Sequence, residues 1–350
     1  MNLSIKQQEI ITSPEQKIVV IASAAAGKTT VLKERINYLL EQQIDPTKIV
    51  AITFTNAAAE ELSTRLGEKA TGIFIGTIHS YANYLLRKIG CGTTEAIQNE
   101  QFDKLFKMVA DKPNCVEEVD YLLLDEAQDS NEEQFTFILD IVKPKNYMFV
   151  GDFRQSIYRW NGACPDFLMG LRNSPDVKTY DLNENYRNGY KILDFAKGLI
   201  RLCGKDYRDT SICMSPEQGK VLNVLYAPDR IVETIKKKGD YKNWFILTRS
   251  NAELENMTSV FQRNNVPYDT FKKAELNNND LKKKLDENTV KVLTIHTAKG
   301  LEADNVVVIG ANCHGIEETC ISYVAATRAR KLLVWVKYPA KSKKKDYEIW

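Results

Sequence analysis

The amino-acid sequence predicts an α/β protein made of two consecutive halves, each built around a mostly parallel sheet. In both halves, short apolar runs typical of strands alternate with helical or polar segments. This alternation predicts parallel strands whose two faces are covered by helices. The length of 350 residues suits two domains of ordinary size, which we expect at residues 1–175 and 176–350.

The first half supplies most of the predicted elements. The predicted strands are 17–22, 48–54, 72–80, 121–124 and 146–151, and the predicted helices are 29–43 and 56–66. Polar residues follow several of these strands directly, among them Asp125, Glu126 and Asp152. The carboxyl ends of parallel strands share one edge of a sheet, where open α/β sheets bind ligands.

The second half contains four predicted strands, at 244–249, 291–296, 305–310 and 331–338. Between the first two lies NNNDLKKKLDENT, residues 277–289, which is polar and lacks a continuous apolar face. We therefore interpret this segment as an exposed connection.

The composition is that of a soluble globular protein, with 43% hydrophobic and 27% charged residues. No apolar run approaches the roughly 18 residues of a membrane span, and residues 1–16 lack the plan of a signal peptide. The cysteines are dispersed without a C-x-x-C pair, which favours reduced thiols in the cytoplasm over a disulfide framework or a metal site. The net charge of +2 predicts no general attraction to nucleic acid.

The stretch IASAAAGKTTVL, residues 21–32, ends like a phosphate-binding loop although it has a single glycine. Such loops normally read G-x-x-x-x-G-K-[ST]. A strand before the loop and a helix after it favour a nucleotide loop, because backbone amides and the helix N-terminus hold the phosphates. The alanines replace positions that adopt positive φ easily, so we expect a stiffer loop. The assigned residues are Ala22, Ser23, Ala24, Ala25, Ala26, Gly27, Lys28, Thr29 and Thr30.

The loop and an acidic pair together supply the groups that phosphoryl transfer requires. Lys28 can reach terminal phosphate oxygens, and Thr29 can ligate Mg²⁺. In the pair Asp125-Glu126, one carboxylate can hold Mg²⁺ while its neighbour orients or deprotonates the attacking water. The metal ligands assigned are Thr29 and Asp125. The alternative, an acidic turn after a core strand, is disfavoured by the loop upstream.

A series of segments occurs in the order found in the superfamily 1 UvrD/Rep/PcrA helicases. They are Gln7, the loop 22–29, ITFTNAAAEEL (52–62), GTIHS (76–80), LDEAQD (124–129), VGDFRQSIYRWNGA (150–163), LNENYR (182–187), VLTIHTAKGLE (292–302) and YVAATRA (323–329). The chain resembles this family from residue 3 to about 335. The resemblance implies two RecA-like P-loop NTPase domains with an ATP cleft between them.

The resemblance also implies roles in binding and hydrolysing ATP. Gln7 would read the adenine edge, Tyr186 would stack on the base, and Glu302 would lie near the ribose. Gln155 would sense the γ-phosphate and couple it to the DNA site, and two arginines would neutralise charge on the transferred phosphoryl group. The catalytic residues so implied are Lys28, Asp125, Glu126, Gln155, Arg187 and Arg328.

For single-stranded nucleic acid, the resemblance points to Phe54, Asn56, His79, Tyr158, Trp160, Thr294 and His296. Aromatic faces that stack on bases contribute about 1–3 kcal/mol per base. Tyr158 and Trp160 follow a predicted strand end and could present adjacent faces to one strand. The alternatives remain open: these two can be core aromatics, and His79 and His296 can be structural histidines.

The chain departs from the family pattern in sequence and in size. Ala57 stands where a lysine is frequent, and Asn161 stands where an arginine is usual. Two large insertions of family members are represented only by residues 81–120 and 188–291. We therefore expect a near-minimal motor with reduced accessory subdomains that unwinds weakly on its own.

The leading functional hypothesis is a Mg²⁺- and ATP-dependent translocase or helicase on single-stranded DNA. Its direction is 3′ to 5′ by resemblance, and a tailed duplex is its expected unwinding substrate. The alternative is an ATP-controlled DNA-binding subunit that loads or licenses a partner nuclease in repair, recombination or phage defence. An unrelated P-loop kinase leaves LDEAQD, QSIYRW and YVAATRA unexplained.

Overall fold

The computed structural model of the protein describes residues 3–99, 101–272 and 276–338. These residues fall into two compact units. The first contains 3–186, 203–214 and 276–279, and the second contains 187–202, 215–272 and 280–338. The first unit therefore continues beyond residue 175, where the sequence predicted the boundary.

The first unit is built around a six-stranded sheet in which every strand pair is parallel. Its strands, in spatial order, are β3 (Phe74–Gly76), β2 (Ile49–Ile52), β4 (Tyr121–Leu124), β5 (Asn146–Gly151), β1 (Lys17–Ala22) and β6 (Lys178–Leu182). Strand β6 was not predicted, and its pairing with β1 carries the first unit past residue 175. A short parallel pair, β7 (Glu184–Asn185) and β8 (Ile212–Cys213), belongs to the same unit.

Eight helices accompany this sheet in the described part of the first unit: α1 (Ile5–Ile11), α2 (Lys28–Glu41), α3 (Asn56–Leu66), α4 (Ile78–Lys88), α5 (Thr94–Gln98), α6 (Lys104–Ala110), α7 (Glu132–Thr136) and α8 (Pro165–Arg172). A π-helical turn, Phe137–Val142, continues α7. The strand predicted over 72–80 is wrong in its last part. The hydroxyl of Thr77 accepts a hydrogen bond from the amide of Ser80, and this N-cap starts α4 directly after β3.

Helix α2 is fixed to the sheet by its apolar side. Val31, Leu32, Ile36 and Leu39 are buried in one cluster with residues of β1, β2 and β5. Because β1 leads directly into the loop before α2, this packing sets the N-terminus of α2 at the carboxyl edge of the sheet.

The second unit contains another six-stranded sheet whose pairs are all parallel. In spatial order its strands are β11 (Tyr268–Asp269), β12 (Val290–Thr294), β10 (Trp244–Thr248), β13 (Ala303–Ile309), β14 (Ala329–Lys337) and β9 (Lys220–Leu225). The remaining helices are α9 (Tyr190–Ile200), α10 (Pro228–Lys238), α11 (Asn251–Arg263), α12 (Asn278–Asp286) and α13 (Ile316–Ala326). The prediction of an α/β fold with mostly parallel sheets is confirmed.

Most of 277–289, interpreted from the sequence as an exposed connection, forms helix α12. Its sequence carries three consecutive lysines, and its apolar residues are Leu281 and Leu285, one helical turn apart. Leu281 is buried while most of its neighbours are exposed. Two leucines are too few to give a readable helical periodicity.

Within the residues described, no helix combines the length and the apolar character that crossing a membrane requires.

Candidate functional site

The phosphate loop joins the end of β1 to the first turn of α2. Gly27 is the N-cap residue of α2 with a φ of 85°, and the N-cap supplies no side-chain hydrogen bond. The positive φ favours glycine at this position, and a Cβ there would lie 2.9 Å from Nε2 of Gln7, so that the end of the Gln7 side chain would have to shift. The first turn of α2 carries no acidic residue. A helix N-terminus of this kind is suited to bind phosphate.

Three consecutive alanines of the loop are held through their carbonyl groups. The hydrogen bonds run from Asn185 Nδ2 to Ala24 O (2.9 Å), from the Tyr186 amide to Ala25 O (3.3 Å) and from Gln7 Nε2 to Ala26 O (3.3 Å). Ala25 itself adopts a left-handed conformation with a φ of 58°. The loop thus keeps a backbone conformation that favours glycine, and donors outside the loop support it.

Gln7 and Tyr186, the two residues predicted to contact adenine, differ in their exposure. Gln7 is buried, and its side-chain oxygen accepts a hydrogen bond from the amide of Ser4 in a capping box at the start of α1. Tyr186 is exposed beside the loop, and its hydroxyl donates to Glu184 over 2.9 Å. The roles of both residues toward adenine stay predictions.

Thr30 lines a cavity of about 430 Å³ together with Leu3, Lys33, Glu34 and Arg65. The cavity lies against the first turns of α2, directly after the phosphate loop. Its volume is within the range of small-molecule sites.

The acidic pair after β4 lies next to the lysine of the loop. Nζ of Lys28 is 3.2 Å from Oε1 of Glu126. Asp125 accepts a hydrogen bond from the Glu126 amide over 2.9 Å. Glu126 has a φ of 51°, a strained conformation for a residue other than glycine. The structure therefore brings together Lys28, Asp125 and Glu126, as the sequence predicted.

Gln128 holds Glu126 in place, a contact that the sequence analysis missed. Its Nε2 donates to Oε2 of Glu126 over 2.6 Å, and its Oε1 accepts from the Asp152 amide over 2.8 Å. A Cβ on Gly151 would lie 2.7 Å from this Oε1, so Gly151 leaves the room that the amide needs. The one sequence signal for Gln128 was its place in the motif LDEAQD. Its contact with Asp152 spans 24 positions and therefore leaves no local periodicity in the sequence.

Gln155, the predicted γ-phosphate sensor, is buried beside the next strand end. Its Nε2 donates to Oδ2 of Asp152 over 2.8 Å, and Asp152 follows β5 directly. Its role as a sensor stays a prediction.

Three of the predicted nucleic-acid residues form a row of rings in the first unit. The rings of Phe54 and Tyr158 are stacked with centroids 5.2 Å apart, and Trp160 follows at 6.4 Å from Tyr158. Trp160 is 69% exposed and Phe54 is 38% exposed, so these two are not core aromatics. Burial and the negative charges of Asp129 and Glu126 raise the pKa of Tyr158.

Asn56 and His79 lie in the first turns of the helices that follow β2 and β3. Asn56 is the exposed first residue of α3. The ring of His79 stacks on Phe106 at 5.0 Å, and its Nε2 lies 3.1 Å from Oδ1 of Asp103. His79 thus has structural partners of its own, which supports its interpretation as a structural histidine, and its role toward nucleic acid stays a prediction.

In the second unit, Arg187 and Glu302 form an ion pair that Arg330 also joins. Burial raises the pKa of Glu302, but the charges of Arg187 and Arg330 outweigh this effect and hold that pKa below its ordinary value. Glu302 is therefore a carboxylate shared by two arginines.

Arg328, the second predicted arginine finger, is 2% exposed. Its guanidinium donates to the carbonyls of Val324 (2.9 Å) and Leu301 (3.3 Å) and to the hydroxyl of Thr327 (3.0 Å). All of these groups belong to the second unit. The sequence analysis also missed the buried Asn188. Its Nδ2 donates to the carbonyl of Thr327 over 3.0 Å, which links the residue after Arg187 to the segment that contains Arg328.

Thr294 and His296, the remaining predicted nucleic-acid residues, lie at the end of β12 and in the turn after it. The hydroxyl of Thr294 accepts a hydrogen bond from the Thr297 amide over 3.2 Å, which stabilises this turn. Both residues are partly exposed at the carboxyl edge of the second sheet.

A strand, a loop ending in Gly-Lys-Thr and a helix, with an acidic pair at a nearby strand end, define the first unit as a P-loop NTPase domain. Comparison with protein families gives the narrower class. The UvrD/REP helicase N-terminal domain matches residues 3–110 and 102–176, and the UvrD-like helicase C-terminal domain matches residues 269–339. The chain belongs to the UvrD-like superfamily 1 helicases, and its two sheets are those of two RecA-like domains.

Relatives agree with this family. The chain is 26% identical to the ATP-dependent DNA helicase PcrA of Staphylococcus epidermidis, with 76% of this chain and 50% of the relative covered. It is 25% identical to a probable DNA helicase II homolog of Mycoplasma capricolum, with 76% and 51% covered. A probable DNA helicase of Mycoplasma pneumoniae is 26% identical, with 99% and 85% covered. The chain thus spans about half the length of the first two relatives.

Proposed function

We propose that this chain is an ATP-driven motor on single-stranded DNA. The observation that carries the proposal is the placement of Lys28 beside Glu126, at a helix N-terminus suited to phosphate and at the carboxyl edge of the first sheet. Family membership and the names of the relatives, which are DNA helicases, support DNA as the partner.

In this proposal the first unit holds the triphosphate. Lys28 exchanges its contact with Glu126 for a phosphate oxygen, and this releases the Glu126 carboxylate to orient a water molecule and accept its proton. Gln128 keeps that carboxylate in place. Arg187 and Arg328 of the second unit supply positive charge, for which each must give up part of its present contacts.

The oxygen ligands of Thr29 and Asp125 are of the type that Mg²⁺ prefers. When bound there, Mg²⁺ would neutralise charge on the phosphate oxygens. The lysine and the glutamate of the site act on the phosphate and the water directly, as described above.

The exposed row of Phe54, Tyr158 and Trp160 supports the DNA part of the proposal. Stacked or neighbouring rings, two of them exposed, offer faces to consecutive bases without regard to sequence. The direction of movement, 3′ to 5′, rests on family resemblance.

A second candidate function is an ATP-controlled DNA-binding subunit whose hydrolysis requires a partner, such as a nuclease. The burial of Arg328, which is 2% exposed, favours this candidate. A partner that exposed Arg328 would then switch hydrolysis on.

Steady-state ATP hydrolysis with Mg²⁺, measured with and without single-stranded DNA, separates the candidates. Strong stimulation by DNA supports the motor. Absent hydrolysis in folded protein that still binds ATP supports the partner-dependent subunit. Lys28→Ala should abolish turnover, whereas Lys48→Ala, at a half-buried lysine before β2, should leave it unchanged. Turnover that persists in Lys28→Ala would contradict the assignment of the loop.

A further inference from the structure

The buried guanidinium of Arg154, which has no assigned contact with the phosphates, connects three segments of the first unit. Arg154 precedes Gln155, and its side chain is 4% exposed. Its Nε donates to Oδ1 of Asp152 over 2.6 Å, and its Nη2 donates to the hydroxyl of Ser23 over 3.2 Å. Its Nη1 donates to Oδ1 of Asp209 over 3.3 Å.

Asp209 comes from the short segment 203–214, which belongs to the first unit although the residues on both sides of it belong to the second. Its carboxylate is buried and accepts hydrogen bonds from the Ser23 hydroxyl (3.3 Å) and from the Ser211 amide (2.9 Å). Nη1 of Arg154 also lies 3.4 Å from the carbonyl of Arg208. The segment is therefore attached to the phosphate loop through one carboxylate.

The buried guanidinium of Arg154 needs all of these partners to satisfy its charge and its donors. A buried charge is tolerated when it is paired and hydrogen-bonded, and the planar fork of arginine fixes the directions of its donors. Asp152 offers one oxygen to Arg154 and the other to Gln155, at 2.6 and 2.8 Å. One carboxylate thus orients both side chains, and Arg154 extends this arrangement to Ser23 in the loop.

We infer that Arg154 and Asp209 are positioning residues for nucleotide hydrolysis, which fix Ser23 of the phosphate loop relative to the side chain of Gln155. This inference rests on the proposed function. The ion pair between Arg154 and Asp209 keeps the phosphate loop and the side-chain amide of Gln155 in a fixed relative position. The segment 203–214 is the part of the chain that completes this arrangement.

Two conservative variants test the inference: Arg154→Lys and Asp209→Asn. Arg154→Lys keeps the positive charge but loses the planar, forked set of donors. Because the groups around the phosphate would then be misplaced, kcat for ATP hydrolysis should fall on the order of 10- to 100-fold. KM for ATP should change by a smaller factor, because backbone amides and Lys28 still hold the phosphates. Combining Arg154→Lys with Asp209→Asn should cost far less than the product of the single effects.

Arg35→Lys is the matched control. Arg35 is equally buried in the same unit, but it donates to the carbonyls of Ile11 and Ser13, at 2.6 and 2.8 Å. This variant should lose stability and keep kcat. An unchanged kcat in Arg154→Lys and Asp209→Asn, or an equal loss in Arg35→Lys, overturns the inference.

Hydrogen exchange separates this inference from the proposed function. Asp209→Asn should accelerate amide exchange in residues 22–30 while exchange in β4 stays as in the parent protein. If the parent hydrolyses no ATP under any condition, the proposed function fails and the catalytic part of the inference fails with it, whereas this measurement still decides whether the ion pair fixes the phosphate loop. Unchanged exchange in the loop overturns it.

Discussion

Ala25 adopts a φ of 58° inside the phosphate loop, where a Cβ costs on the order of 1 kcal/mol. Ala25→Gly removes this strain but increases the freedom of the unfolded chain, so we expect a net gain of about 0.5 kcal/mol in the free energy of unfolding. Urea unfolding measures the difference. Ala26→Gly, at a buried alanine of the core cluster, should lose about 1 kcal/mol instead. Equal losses in both variants would contradict the strain at Ala25.

Trp160 is the most exposed ring of the row that it forms with Phe54 and Tyr158. Trp160→Ala should weaken binding of single-stranded DNA by about 1–3 kcal/mol, roughly 5- to 150-fold in Kd, since one stacking face is lost. ATP hydrolysis without DNA should be largely kept. Fluorescence anisotropy with a labelled oligonucleotide gives Kd. Leu225→Ala, at a comparably exposed side chain in β9, should leave Kd unchanged, and an unchanged Kd in Trp160→Ala would remove Trp160 from the interface.

At the scale of residues, the sequence predicted which groups carry chemistry but missed those that orient them. Lys28, Asp125 and Glu126 stand in motifs whose local pattern specifies a function. Gln128 and Asp209 act through contacts to residues 24 and 55 positions away, and no local pattern encodes such distances. The burial of Arg328 was missed for the same reason, since its partners include the carbonyl of Leu301.

At the scale of elements, β5 and the turn after β4 approach closely because Gly151 has no side chain. In Gly151→Ala the Cβ would meet Gln128 at 2.7 Å and Leu168 at 2.9 Å, which should cost about 1–3 kcal/mol of unfolding free energy. Displacing Gln128 should also lower kcat for ATP hydrolysis, because Glu126 loses its partner. Gly170→Ala in α8, where the Cβ meets nothing within 4 Å, should instead stabilise by up to about 1 kcal/mol. A neutral Gly151→Ala would refute this packing.

Glu302 links β14, through Arg330, to Arg187 in the segment before α9. Its pKa is lower in the folded protein, so its contribution to stability is present above the ordinary value of 4.5 and is lost as the pH falls through the folded value. Glu302→Gln should therefore be less stable than the parent at neutral pH, and the difference should shrink in acid. Urea unfolding at about pH 7 and about pH 4 tests this. Glu233→Gln, at an exposed residue of α10, should match the parent at both values, and a Glu302→Gln difference independent of pH would contradict the pKa shift.

The elements themselves were predictable where burial dominates the sequence. β1 was predicted at its observed bounds because Lys17–Ala22 is an apolar run that enters the core. β6 was missed because Lys178–Leu182 alternates and is mostly half-exposed at the edge of the sheet. β9 lies at the edge of the other sheet with a similar pattern. Edge strands bury little and therefore leave a weak hydrophobic signal.

At the scale of the whole molecule, two segments of this chain stand where family members carry large insertions, and together they contain helices and strands of the two units. Residues 81–120 hold the end of α4 and the short helices α5 and α6. Residues 188–291 supply strands of the second sheet, including β9, β10 and β11, with the helices between them. The alignment with the Mycoplasma pneumoniae relative extends over 465 positions, so it places gaps in this chain of 350 residues. The described residues therefore leave little chain for accessory subdomains.

This arrangement predicts movement along a single strand with weak separation of duplexes. The proposed ATP and strand contacts lie in the two RecA-like domains, and little chain is left here for the accessory subdomains that we expect to assist unwinding. Displacement of streptavidin from the 5′ end of a biotinylated oligonucleotide should therefore proceed with ATP, and displacement from the 3′ end should not.

In the same experiment a duplex with a 3′ tail should be unwound slowly, and one with a 5′ tail should not be unwound. Lys28→Ala serves as the control without hydrolysis. Rapid unwinding of long duplexes by the chain alone would show that these short segments suffice for strand separation. Strong DNA-stimulated hydrolysis without displacement from either end would instead separate hydrolysis from movement and contradict the proposal of a motor, since ATP turnover would then move no strand.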